Sequence, residues 1–105
     1  MLPVTMARRR AAIERILTER SRQEELKRAG RFPYTLADPD LTLSQKVGKI
    51  LEELAEANKC VQWLEGTAYN DFEPGTPEAV VMSKLKEEVT QVAALALAWL
   101  EGLGG

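Results

Sequence analysis

Two groups of oxygen-bearing side chains stand at helical spacing in this sequence, Glu52-Glu53-Leu54-Ala55-Glu56 and Glu88-Val89-Thr90-Gln91. Glu52 and Glu56 are four residues apart and share one face of a helix, while Glu88 and Gln91, three apart, share a face of another. Carboxylate and amide oxygens are the donors that hard cations such as Mg²⁺ or Mn²⁺ take, and a divalent ion held this way can neutralise phosphate. The chain has no histidine and a single cysteine, Cys60. That excludes histidine triads, histidine general bases, the common zinc cages and an intrachain disulfide. Any chemistry must come from carboxylates, cations and water.

The elements that would position these groups are helices, because apolar residues recur with helical periodicity in three segments and no segment alternates β-branched residues. The pattern predicts an all-α fold, an antiparallel helical bundle of three main helices. The first helix runs from about Met6 to about Ala29, with Thr5 as N-cap, Gly30 as stop and an apolar stripe of Met6, Ile13, Ile16 and Leu17. A loop from Gly30 to Leu41 carries Pro33 and Pro39. Thr42 then opens a second helix with Gln45 at the capping-box position, lasting to Glu65 before Gly66. After a loop over Thr67 to Gly75, Thr76-Pro77-Glu78 reads as N-cap, first-turn proline and first-turn acid of a third helix reaching Glu101, with Gly102 as its end signal.

On a wheel of about 100° per residue the second helix has an apolar stripe of Val47, Ile50, Leu51, Leu54, Val61 and Leu64, with Glu53 at its edge. Glu52, Glu56 and Trp63 lie on nearly the opposite face. Glutamate is a strong helix former, so these acids alone fit a solvated face as well as a site. The third helix is different. Its stripe is Val81, Leu85, Val92, Leu95, Ala96, Trp99 and Leu103, and Glu88 falls inside it, with Gln91 at its edge. Burying an ionised carboxylate costs about several kcal/mol unless a cation or metal compensates it. The compensating charge is either a bound cation or a basic residue, and Arg20, which lies in the first helix's stripe beside Gln23, is the candidate for the second case. Lys49, on the Glu53 side of its helix, and Lys84, one turn before Glu88, are placed either to meet phosphate oxygens or to be solvated. Arg8-Arg9-Arg10 reads as a solvated turn.

With these residues in order, the sequence resembles the MazG-like all-α nucleoside triphosphate pyrophosphohydrolases, whose motif is Glu-Glu-x-x-Glu on one helix and Glu-x-x-Asp on the next. Glu52-Glu53-Leu54-Ala55-Glu56 matches the first half, and Glu88-Val89-Thr90-Gln91 matches the second with Gln in place of Asp. The segments Glu19-Arg20-Ser21-Arg22-Gln23, Arg31-Phe32-Pro33-Tyr34-Thr35 and Gln91 to Glu101 look like a small single-domain branch found in phage and bacteria, and the likeness covers about Glu14 to Leu103. Two features depart from the pattern: Gln91 removes one negative charge, and the 31 residues between Glu56 and Glu88 make a longer spacer than is usual. The resemblance implies hydrolysis of a (d)NTP to (d)NMP and pyrophosphate. It implies Mg²⁺, or Mn²⁺, held by Glu52, Glu53, Glu56, Glu88 and Gln91, with Glu53 orienting the attacking water. Arg20, Gln23, Lys49, Lys84 and Trp63 are the expected substrate contacts, and a homodimer or homotetramer is expected, with Trp63 either stacking on a base or packing on a second subunit.

Composition is compatible with this and narrows the alternatives. At 105 residues, 45% hydrophobic and 29% charged, the chain suits one domain of residues 1–105 with limited core, which association would extend. A net charge of −2 gives no long-range attraction to nucleic acid. No segment reads as a membrane span or signal peptide, so the cytoplasm is the expected compartment. Two other functions fit the residues: a nucleotide-binding module made non-catalytic by Gln91, and a helical oligomerisation or adaptor domain in which Arg20 neutralises Glu88.

Overall fold

A computed structural model describes residues 4–66, 72–73 and 75–105, which form three α-helices with no strand among them. They are α1 (Val4–Arg28), α2 (Leu43–Leu64) and α3 (Glu78–Gly102). The all-helical expectation therefore stands, with boundaries within a few residues of those the caps predict. Most of the loop expected over Thr67 to Gly75 lies outside the described residues. Among the described residues no helix is long and apolar enough to cross a membrane.

Capping chemistry sets the helix ends. Past α1 the chain turns at Gly30, whose φ of 76° is open to glycine at no steric cost, and Arg31 N donates to Leu26 O at 2.8 Å. Thr42 caps α2 in a complete capping box: Gln45 N donates to the Thr42 hydroxyl at 3.1 Å, and Thr42 N donates to the Gln45 side chain at 2.8 Å. At α3 the structure moves the cap by one residue. The Thr76 hydroxyl donates back to Glu73 O at 2.6 Å instead of capping, and the Pro77 carbonyl accepts from Val80 N at 3.0 Å and Val81 N at 3.4 Å.

The chain divides into two compact units. The first comprises Met1–Leu41 and Ala93–Gly105. Its buried apolar residues are Leu36, Ala94 and Ala98, and Gly102 lies so close to the Ala37 backbone that a Cβ there would stand 2.9 Å from Ala37 O. From α1 this unit buries Arg20 and Gln23, at the C-terminal end of the expected stripe, while Met6, Ile13 and Leu17 of that stripe remain about half exposed. Ion pairs take the place of apolar contact. Arg20 donates from Nε and Nη2 to the two carboxylate oxygens of Glu101 at 2.9 and 3.1 Å and also pairs with Glu24, which accepts from the Thr35 hydroxyl at 3.0 Å.

The second unit is Thr42–Val92. It buries Ala57, Cys60 and Val81 together with Lys46 and Glu88. The face that α2 buries is rotated roughly a quarter-turn from the apolar stripe that the wheel picks out. Val47, Leu51 and Leu54 of that stripe are exposed, and the inward positions hold small residues and a lysine whose apolar stem can lie along a core. Glu53, at the edge of the expected stripe, thereby comes to the packed side.

Candidate carboxylate site

Within the second unit, α2 supplies Glu53 and the first half of α3 supplies Lys84, Glu88 and Gln91. Glu88 is 5% exposed, as its place in the α3 stripe predicts. One turn back along α3, Lys84 Nζ lies 3.0 Å from Glu88 Oε1, and this pair raises the Lys84 ammonium above its ordinary value, burial opposing it. The buried acid is therefore compensated from its own helix. Arg20, the candidate if a basic residue compensates Glu88, pairs with Glu24 and Glu101 instead.

Gln91 connects the two acids. Assigned from its neighbours, the amide places its nitrogen toward both carboxylates and donates to Glu88 Oε2 at 3.2 Å and to Glu53 Oε2 at 2.9 Å. Glu53 and Glu88 face each other closely enough that burial first, and then the charge and hydrogen bond of Glu88, push the Glu53 carboxyl up from its ordinary value, with Lys49 opposing. Cys60, a buried free thiol, is also pushed up, by burial and then by the charge of Glu88. The site thus concentrates negative charge around one ammonium, and the arrangement favours a further positive charge or a proton.

The remaining expected site residues are placed as follows. Glu52 and Glu56 are on the exposed side of α2, where Lys49 Nζ meets Glu52 at 3.3 Å and Lys59 Nζ meets Glu56 at 3.2 Å. The charge of Glu56 contributes to the rise at Glu53. Among the described residues, no group of three or more His, Cys, Asp or Glu is arranged to hold a metal ion. The set that does converge is two carboxylates and an amide, an all-oxygen donor set once the amide is turned. It fits Mg²⁺, which is commonly held by one or two carboxylates while water and substrate phosphates complete its shell. Trp63 is half-buried, with its ring edge-on to Phe72 at a centroid distance of 6.1 Å and an interplanar angle of 68°. In the first unit, Gln23 is buried with Oε1 unpartnered, and so are Arg20 Nη1 and Trp99 Nε1. The role of Lys84 as partner of Glu88 could have been found from the sequence, since i, i+4 spacing joins them on one face.

No protein-family model, curated protein or solved structure matches this chain.

Proposed function

We propose that this chain is a Mg²⁺-dependent nucleoside triphosphate pyrophosphohydrolase of the MazG-like kind, hydrolysing (d)NTP to (d)NMP and pyrophosphate. One observation carries the reading: a buried Glu88 shares the Gln91 amide with Glu53, two carboxylates converging in a chain with no histidine. Glu53 and Glu88 would hold the cation, Mg²⁺ or Mn²⁺, with Gln91 turning its amide oxygen inward. Glu52 and Glu56 would join by releasing Lys49 and Lys59. The bound cation would neutralise the triphosphate and the charge that builds on leaving pyrophosphate.

The chain's own groups do the rest. Glu53 orients the attacking water and accepts its proton, a role suited to a carboxylate whose pKa is raised above its ordinary value. Lys84 and Lys49 turn from their carboxylates to phosphate oxygens when the substrate arrives, and Trp63 offers its ring face to the base. Arg20 takes no part in substrate binding because two carboxylates already balance its charge. Gln23, buried beside it on α1, takes no part either. We further propose a homo-oligomer working in the cytoplasm.

One observation favours a second reading. The Gln91 amide satisfies both acids by itself, as a nucleotide-binding module with a degenerate site would require. The adaptor reading named Arg20 as the partner of Glu88; Lys84 takes that place, and Glu52 and Glu56 lie on the exposed side of α2 as that reading expects. Incubation with a panel of ribo- and deoxyribonucleoside triphosphates and Mg²⁺ or Mn²⁺ tests the choice. Pyrophosphate with monophosphate is the expected product pair. Metal-dependent binding without turnover would favour the second reading, and inorganic phosphate with diphosphate would overturn the cleavage site.

A further inference from the structure

One buried charge has no part in the carboxylate site. Lys46 is 5% exposed and stands in the first turn of α2, on the packed face that also carries Glu53. Among the described residues, Arg20, Lys27, Lys49, Lys59 and Lys84 each meet a carboxylate. The Lys46 ammonium meets none. Enclosing an ammonium without a counter-charge is unfavourable, and its place in the helix adds to the imbalance. A helix start is the positive end of the backbone dipole, where acids are favoured and cations are not. The first turn of α2 has no acid.

An anion is the ligand that these features select. The Thr42 hydroxyl accepts from Gln45 N at 3.1 Å and Thr42 O accepts from Lys46 N at 3.1 Å, so the Leu43 and Ser44 amides remain as donors at the helix start. Helical side chains lean toward the N-terminus, which brings the Lys46 ammonium to the same end. This end also lies in line with the proposed chemistry. Lys46, Lys49 and Glu53 are spaced i, i+3 and i+7 on one face, and Lys46 stands about 10 Å before Glu53 along the axis, at about 1.5 Å per residue. A triphosphate held at its α-phosphate beside Glu53 and Glu88, and met by a lysine side chain, covers that interval. Lys49 and Lys84 must leave Glu52 and Glu88 to meet a phosphate. Lys46 has no carboxylate to leave.

We propose that Lys46 and the first turn of α2 bind the β- and γ-phosphates of the nucleoside triphosphate, so that pyrophosphate leaves toward the start of α2 while the monophosphate stays beside Glu53 and Glu88. Water adds to the α-phosphorus, the bond from that phosphorus to the bridging oxygen breaks, and Lys46 neutralises the pyrophosphate that departs with the electron pair. The identity of the anion rests on the hydrolase reading. The cationic site itself stands on the burial of Lys46 and its place in α2.

Isothermal titration of the full chain in Mg²⁺ with inorganic pyrophosphate, and separately with nucleoside monophosphates, tests this without turnover. Lys46→Met keeps most of the stem and removes the charge. It is expected to weaken pyrophosphate binding by about 10-fold or more and to leave monophosphate binding unchanged, while Lys46→Arg restores most of the loss. Without ligand, Lys46→Met should melt no lower than the wild type, because the charge it removes has no partner in the chain. Equal pyrophosphate binding by the wild type and Lys46→Met, an equal loss for both ligands, or a wild-type chain that binds no pyrophosphate would each overturn the proposal. Pyrophosphate binding that depends on Lys46, in a chain with no turnover on any nucleoside triphosphate, would support the anion site and remove the hydrolase reading. Turnover with pyrophosphate binding indifferent to Lys46 would do the reverse.

Discussion

Substituting Lys84→Met keeps most of the aliphatic stem and removes the ammonium that stands 3.0 Å from the buried Glu88 carboxylate. At that separation two unit charges attract by about 5 kcal/mol for an effective dielectric of about 20. The Lys84 side chain is 45% exposed, so solvent screening and the ammonium's regained hydration bring the expected loss down to about 2 kcal/mol. In a domain of this size that lowers the melting temperature by roughly 8 °C. The loss comes from two carboxylates left facing each other without that ammonium, so it should be largest near neutral pH and shrink in acid, where Glu53, raised from its ordinary value by burial and by Glu88, takes up a proton. Thermal melts of both proteins at pH values on either side of the carboxylate range read this directly. Added Mg²⁺ should return more stability to Lys84→Met than to the wild type, because a cation in the cluster replaces the missing charge. An equal loss at acid and neutral pH would show that Lys84 acts through packing, and no loss at either would refute the electrostatic account.

Three other perturbations probe the same reasoning. The Glu53 carboxyl is raised from 4.5 in the fold, so its contribution to stability is present at low pH and is lost as pH climbs through the raised folded value. Glu53→Gln should therefore melt higher than the wild type near neutral pH, with the difference closing toward pH 4.5. Arg20→Met should cost about 2–3 kcal/mol, because it removes a buried guanidinium from two half-exposed carboxylates, and combining it with Glu101→Gln should cost less than the sum, measured by denaturant unfolding. Gly102→Ala would press a methyl against the Ala37 backbone, 2.9 Å from its carbonyl oxygen. A loss of about 1–3 kcal/mol is expected on melting.

Local signals in the sequence were strong because they depend only on neighbours. Thr42 and Gln45 form their capping box, Gly30 turns the chain at positive φ, and Glu88 is buried where the α3 stripe puts it. Which face of each helix packs was less accessible. Val47, Leu51 and Leu54 form the most apolar stripe of α2, yet that stripe is exposed while Ala57, Cys60 and Lys46 are buried. Periodicity finds an apolar face without naming what it packs against, and on α1 the buried members of the face are the polar Arg20 and Gln23, with Leu17 half exposed. For the counter-charge of Glu88 the sequence leaves open a bound cation or a basic residue, with Arg20 the candidate for the latter, and the lysine one turn away stands there instead. Of the candidate site, Glu53, Glu88 and Gln91 were legible from motif spacing. The exposed pairing of Glu52 and Glu56 with Lys49 and Lys59 depended on side-chain choices that spacing leaves open.

The central claim is that Glu53 and Glu88 form a metal-dependent phosphate site, and pyrophosphate release in Mg²⁺ by the wild type, Glu53→Gln and Glu88→Gln addresses it most directly. The account predicts turnover that stops when the metal is chelated and falls by about 100-fold or more in each folded variant. Turnover that ignores the metal or survives both substitutions, or a folded wild-type chain with no turnover on any nucleoside triphosphate, would contradict it.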